Sequence, residues 1–124
     1  MLAQCDLIAF LATVSPEGAR AFYRDALGLE LVDESSYGLV FDAGGRMLRV
    51  QIVAAFQPHP HTALGWRVAD IVAAMAHLTK HSVRFEFYAG LPQDAEGVWI
   101  TPEGVRIAWF KDPDGNVLSL TQFG

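Results

Sequence analysis

The 124-residue chain has one cysteine, no cluster of Lys and Arg, and few charges of either sign, 19% of its residues. No apolar run approaches the ~18–20 residues that a membrane-spanning helix needs. Each shortage excludes something. A lone Cys5 makes no internal disulfide, which fits a reducing compartment, and the expected location is cytoplasmic. The amino terminus has neither a basic flank nor a small-residue cleavage site, so no signal peptide is expected. A net charge of −5 and a pI near 5.2, with no basic stripe, argue against nucleic acid and membrane surfaces as partners. Hydrophobic residues make up 52% of the chain, against that thin supply of charge. At 13.6 kDa the chain can bury a real core and still leave apolar surface over, which a homodimer would hide.

What is present is concentrated in Ile107 to Phe123, IAWFKDPDGNVLSLTQF. Two β-prone apolar runs flank Asp112-Pro113-Asp114-Gly115-Asn116. Pro113 presets φ for the first corner of a type I turn, and Gly115 takes the left-handed residue after it, so a β-hairpin is predicted. With Asp112 opposite Asn116, Lys111 faces Val117, Phe110 faces Leu118 and Trp109 faces Ser119. Alternation then puts Ala108, Phe110, Leu118 and Leu120 on one face. Ile107, Trp109, Val117, Ser119 and Thr121 take the other.

From the amino terminus, Leu7 to Thr13 is predicted as a buried strand. A helix follows, with Ser15 as N-cap, Pro16 at its first position and Gly28 as its stop. Ala19, Phe22, Tyr23, Ala26 and Leu27 recur along it at helical spacing. Strands are predicted at Leu29–Asp33, Tyr37–Asp42 and, after a Gly44-Gly45 turn, Met47–Val53. Ala54–Thr62 holds two prolines and two histidines and is the natural linker. Then a strand, Ala63–Val68, precedes a helix capped by Asp70, with Ile71, Met75 and Leu78 inward and Lys80 and His81 at its negative end. Val83–Tyr88 is predicted as a strand, Gly90–Glu96 as a loop and Val98–Thr101 as a short strand before the hairpin. The order of strand, helix and three strands thus repeats in two halves of roughly sixty residues.

Two segments carry a family resemblance. AFYRDALGLELV (Ala21–Val32) is similar to the first helix and second strand of the vicinal oxygen chelate superfamily, the glyoxalase/bleomycin-resistance/dioxygenase fold. WFKDPDGNVLSL (Trp109–Leu120) resembles its final hairpin. The interval and element order between them agree with the family, so the resemblance spans essentially the whole chain. It implies an α+β fold: two βαβββ modules forming curled mixed sheets around a concave cleft, helices outside, in a single glyoxalase-like domain over 1–124. Module one would run about 5–54, the linker about 55–62 and module two about 63–124. The family's habit also points to a homodimer.

The resemblance further implies where a metal would sit, on the first and fourth strands of each module. Counting from Ala21-Phe22-Tyr23, the first ligand position falls on Ile8. Aligning Val68-Ala69-Asp70 puts another on Ala63. Ser119 replaces the usual Glu of a pattern like DPDGNxIEL, and the fourth position falls on Gln51 or Val53. Isoleucine and alanine have no donor atom, and divalent ions of this chemistry want several imidazoles or carboxylates at once. The expected cofactor and metal content is therefore none, and no catalytic residue is assigned. Ser82 stands where a glycine is common between helix and strand.

Other motifs reduce to ordinary structure. His59-Pro60-His61 could ligate a metal on a strand, but the flanking prolines make it an extended linker. His77 and His81 share a helix face without a carboxylate nearby in sequence, and read as surface residues. Asp112–Asn116 has its glycine at the wrong place for a calcium loop and no closing Glu. Cys5 has no basic neighbour, and Gly44-Gly45-Arg46 has no phosphate-loop lysine or following helix. Strand parity leaves a ligand-binding set. If Leu48, Val50 and Ile52 pack on the helix, Arg49 and Gln51 face the cleft. If Leu64, Trp66 and Val68 pack, Ala63, Gly65 and Arg67 face it, with Arg67 at the rim. With Trp109, Ser119 and Thr121 these make an apolar pocket with a few polar fixtures.

The expected function is therefore a metal-independent, glyoxalase/bleomycin-resistance-like protein that binds a small organic molecule in the inter-module cleft. The alternative is an enzyme of lyase, isomerase or dioxygenase type with an unusual or displaced metal site. No base poised by a partner is evident for acid–base work. A third reading is an interaction module with a collapsed cleft.

Overall fold

Ser15 and Asp70 start the helices in the way their sequence positions predict. The computed structural model describes residues 1–124. Ser15 Oγ accepts from the Gly18 N–H at 3.3 Å, with Pro16 at the first position of α1, Pro16–Arg20. Asp70 Oδ1 accepts from the Ala73 N–H at 3.1 Å and opens α2, Ile71–Lys80. The first helix departs from expectation. After Arg20 the chain widens into a π-helical stretch, Ala21–Ala26, which the Leu27 N–H closes on Phe22 O at 2.9 Å. Apolar periodicity does not distinguish such a turn from an α-helical one. It carries Phe22 edge to face with Tyr23 at 5.0 Å, and Tyr23 is fully buried against Phe41.

The chain divides into two compact units, Met1–Gln57 and Pro58–Gly124. The first opens with a 3-10 turn at Leu2–Gln4 and holds β1 (Ile8–Thr13), β2 (Glu30–Glu34), β3 (Gly38–Ala43) and β4 (Arg46–Ile52). Its sheet runs β1-β4-β3-β2, with β1 parallel to β4 and the other pairs antiparallel. Leu11, Leu39, Phe41, Leu48 and Val50 form its core with Ala19 and Tyr23 of the helix. Arg20 grips the Glu34 carboxylate through two nitrogens, and this holds Glu34 below its usual pKa.

The second unit holds β5 (Thr62–Arg67), α2, β6 (Trp99–Ile100), β7 (Arg106–Lys111) and β8 (Val117–Gln122). Its sheet runs β5-β8-β7-β6, with β5 parallel to β8, so the strand order of the first sheet recurs. Each unit is a βαβββ module, and the fold class is α+β with two open mixed sheets. Ile71, Met75 and Leu78 of α2 are buried, as are Ala108, Phe110, Leu118 and Leu120. Gln122 Oε1 accepts from the Ile71 N–H at 2.8 Å, tying the last strand to the start of α2. Past α2, Ser82 takes φ 68, the conformation usually left to glycine.

One predicted strand does not form. Val83–Tyr88 makes a single bridge, Phe85 to Phe110, and the Glu86 N–H donates to Trp109 O at 2.8 Å. A side chain takes the place of a neighbouring strand. Gln93 Oε1 accepts from the Tyr88 N–H at 2.7 Å, and its Nε2 donates to Glu86 O and Gly97 O, both at 2.9 Å. Apolar, β-prone residues predict a strand here, but the glutamine satisfies backbone groups that a ladder would otherwise have taken.

Candidate functional site

The site is built on the β7–β8 hairpin, whose turn is closed by one carboxylate. Asp112 Oδ1 accepts from the N–H groups of Asp114 and Asn116 at 3.0 and 2.9 Å, and Oδ2 accepts from Asn116 Nδ2 at 2.8 Å. Gly115 takes φ 90. The register is Lys111–Val117, Phe110–Leu118 and Trp109–Ser119, as the sequence predicts. Phe110 and Leu118 are fully buried on the core side, so Ile107, Trp109, Ser119 and Thr121 lie on the opposite side.

Trp109 is the centre of that face. Its indole N–H donates to Thr62 Oγ1 at 3.1 Å. Trp99 lies nearly parallel to it, centroids 6.2 Å apart, and Tyr88 stands edge-on at 5.5 Å. Tyr88 is 37% exposed, and the partial desolvation of its phenol raises the pKa above its ordinary value, with the Glu86 carboxylate adding to the shift. Sequence reasoning missed Tyr88, Trp99 and Thr62. Trp99 was within reach, because it pairs with Ile107 in the antiparallel register and so shares the face of Trp109. Tyr88 was not, since its strand does not exist.

Ser119 is 7% exposed and sits beside Gly65 of β5, where a Cβ would stand 2.5 Å from its Oγ. Thr121 lies beside Arg67, whose guanidinium is 4.9 Å from the Phe123 ring centroid. Trp109, Ser119, Thr121 and Arg67 thus share one face of the second sheet. Arg49 and Gln51 stand on the first sheet. They are exposed and alternate with the buried Leu48 and Val50.

The four positions where the family would place metal ligands do not fit a metal. Ile8 and Ala63 are exposed but offer no donor, and Ser119 offers only a hydroxyl held against Gly65. Gln51 is exposed on β4 and Val53 follows the strand half-buried. One amide and one hydroxyl are not the donor set of a divalent site. No three His, Cys, Asp or Glu side chains gather elsewhere. His59 and His61 stack at 5.0 Å, and His77 and His81 meet at 4.9 Å, each as a pair only. Cys5 is exposed and free.

This chain belongs to the Glyoxalase/Bleomycin resistance protein/Dioxygenase superfamily, whose family model matches residues 5–120. Among solved structures it is similar to a glyoxalase family protein of Bacillus anthracis, with 20% identity, TM-score 0.77, and 98% of this chain and 96% of that one covered. A lactoylglutathione lyase of Agrobacterium tumefaciens is similar at 17% identity and TM-score 0.74, with 96% and 93% covered. So is a genomically encoded fosfomycin resistance protein of Listeria monocytogenes, at 12% identity and TM-score 0.74, with 95% and 92% covered. Likeness at such identities shows the fold alone. None of the curated proteins matches. No helix is long and apolar enough to cross a membrane.

Proposed function

We propose that this protein binds a small organic molecule without the help of a metal, on the face of the second sheet that carries Trp109, opposite its core. The observation that carries the reading is the grouping of Trp109 with Trp99 and Tyr88, a flat apolar surface with polar fixtures at Thr62, Ser119 and Thr121. Arg67 adds a cation at the edge of that face. Arg49 and Gln51 are further contacts in this reading, because they present a cation and an amide on the uncovered face of the first sheet. Metal independence is supported by Ile8, Ala63 and Ser119 at three ligand positions. The family match runs across both units, which supports their acting as one glyoxalase-like domain over residues 1–124. A cytoplasmic location is supported by the exposed free thiol of Cys5, and a homodimer by apolar side chains exposed on the first sheet.

The test is a thermal-shift screen of metabolites and glycopeptide drugs, since a ligand of the folded state raises the melting point by mass action. A hit should quench tryptophan fluorescence. The Trp109→Ala variant should stay folded yet bind that hit roughly three- to tenfold more weakly. Unchanged affinity in the folded variant would move the site away from this face. Elemental analysis after mild dialysis should find far less than one Zn, Ni, Mn or Fe per chain. A stoichiometric metal would favour the alternative, a displaced metal site, with His59 and His61 the first donors to examine.

A further inference from the structure

The second unit contains a cavity of about 740 Å3 that the Trp109 face does not use. One wall is α2. Ile71, Met75 and Leu78 turn inward there, and the adjacent row Val72, Ala76 and Thr79 edges the cavity, with Val72 70% exposed. The other wall is the chain at 83–87 and 94–98, the segment that does not pair as a strand, with Val83, Phe85 and Val98 presenting apolar surface. That wall is fixed by its own side chains. Gln93 makes three hydrogen bonds to the backbone of Glu86, Tyr88 and Gly97, and Asp94 Oδ1 accepts from the N–H groups of Glu96, Gly97 and Val98 at 2.9 to 3.0 Å. The cavity is therefore preformed, and its volume lies within the ~300–1,000 Å3 of small-molecule pockets.

Its charges narrow the ligand. Three ionisable residues line it: Arg84, Asp94 and Glu96. Asp94 already serves the backbone. Arg84 is exposed and forms neither an ion pair nor a hydrogen bond, with these carboxylates or with any other group. An unpaired guanidinium at an apolar cavity suits a planar or tetrahedral oxyanion, while two carboxylates in the same lining disfavour a multiply charged one such as a nucleotide. We propose that this cavity is a second ligand site, for a small apolar molecule carrying a single carboxylate or sulfonate that Arg84 holds.

The probe is 1-anilinonaphthalene-8-sulfonate, with uncharged N-phenyl-1-naphthylamine as its neutral counterpart, both read by fluorescence on the native chain. The sulfonate should bind saturably at one site per chain. Arg84→Gln should weaken it about tenfold and leave the neutral amine unchanged, as the loss of one charge-assisted contact predicts. Ala76→Trp or Thr79→Phe, each filling the cavity from an exposed position on α2, should abolish binding of both probes with near-ultraviolet circular dichroism intact. Trp109→Ala should leave both probes bound, which separates this site from the sheet face. Equal weakening of both probes by Arg84→Gln, or undiminished binding in both filled variants, would overturn the proposal. So would a fall to half the mass in a filled variant by light scattering, which would make the surface a contact between copies. Arg84 is exposed and unpartnered, so the charge comparison decides the matter even where a filled variant does not fold.

Discussion

Gly38 and Gly65 both lie in strands, and a methyl group on either would collide, but the collisions differ in kind. At Gly38 a Cβ would stand 2.8 Å from Val50 O, a backbone atom fixed in the β3–β4 ladder. At Gly65 the obstacle is Ser119 Oγ, which rotation about one bond can move. We therefore expect Gly38→Ala to cost about 1–3 kcal/mol and Gly65→Ala less, measured by urea unfolding. Equal costs would show that the Ser119 hydroxyl is locked in place. Nothing in the sequence separated the two glycines, because close approach is a property of the partner strand. Tyr88 gives a pH prediction. Its folded pKa is raised above the ordinary value of 10.0, so the unfolded chain releases its proton first. Stability from this group is whole below pH 10.0 and falls as pH rises from there through the folded value. Tyr88→Phe should flatten the alkaline fall in melting temperature relative to wild type; parallel curves would mean that the phenol is not desolvated.

At the scale of elements, legibility followed how locally each element is determined. The β7–β8 hairpin was legible down to its register because Asp112-Pro-Asp-Gly-Asn fixes the turn and alternation fixes the faces. Both helix starts were legible because a cap is a contact three residues long. Val83–Tyr88 was not, because its conformation depends on Gln93, a side chain outside the segment. The π-helical turn at Ala21–Ala26 was not, because it changes the backbone pairing without changing the apolar pattern. The hairpin's dependence on one side chain is testable. Asp112 is 4% exposed and its carboxylate accepts from the N–H groups of Asp114 and Asn116 and from the Asn116 amide, so Asp112→Ala would remove the acceptor that ties these groups together across the turn. The expected loss is about 2–3 kcal/mol, with a lowered melting temperature and faster amide exchange across β7 and β8. A loss below ~0.5 kcal/mol would mean that Pro113 and Gly115 hold the turn unaided.

For the whole molecule, the repeated order of elements and the family motifs were enough to give the fold, and the repeated strand order β1-β4-β3-β2 and β5-β8-β7-β6 agrees with it. The site was less legible. Parity placed Arg49, Gln51, Trp109 and Ser119 on their faces, but the rings around Trp109 and the cavity beside α2 depend on a segment whose path the sequence did not reveal. Assembly is the remaining consequence of composition. Ile8, Phe10, Val32 and Met47 are 45%, 54%, 60% and 41% exposed, and Ile8 lies beside Met47 in the β1–β4 register. Ile8, Phe10 and Met47 form apolar surface on the side of the first sheet away from its core, with Val32 on the opposite edge strand; Arg49 lies beside Phe10 on that same side, so a dimer formed here would bring the partner against Arg49. A stable dimer hides ~800 Å2 per partner, about a tenth of the 7847 Å2 this chain exposes. Light scattering on a sizing column should therefore give twice 13.6 kDa at micromolar concentration. Phe10→Glu places a charge on β1 between Ile8 and the rest of the strand and should shift the protein to the monomer while leaving its circular dichroism unchanged. A wild-type monomer would refute the dimer outright, and a Phe10→Glu dimer would move the interface to another face.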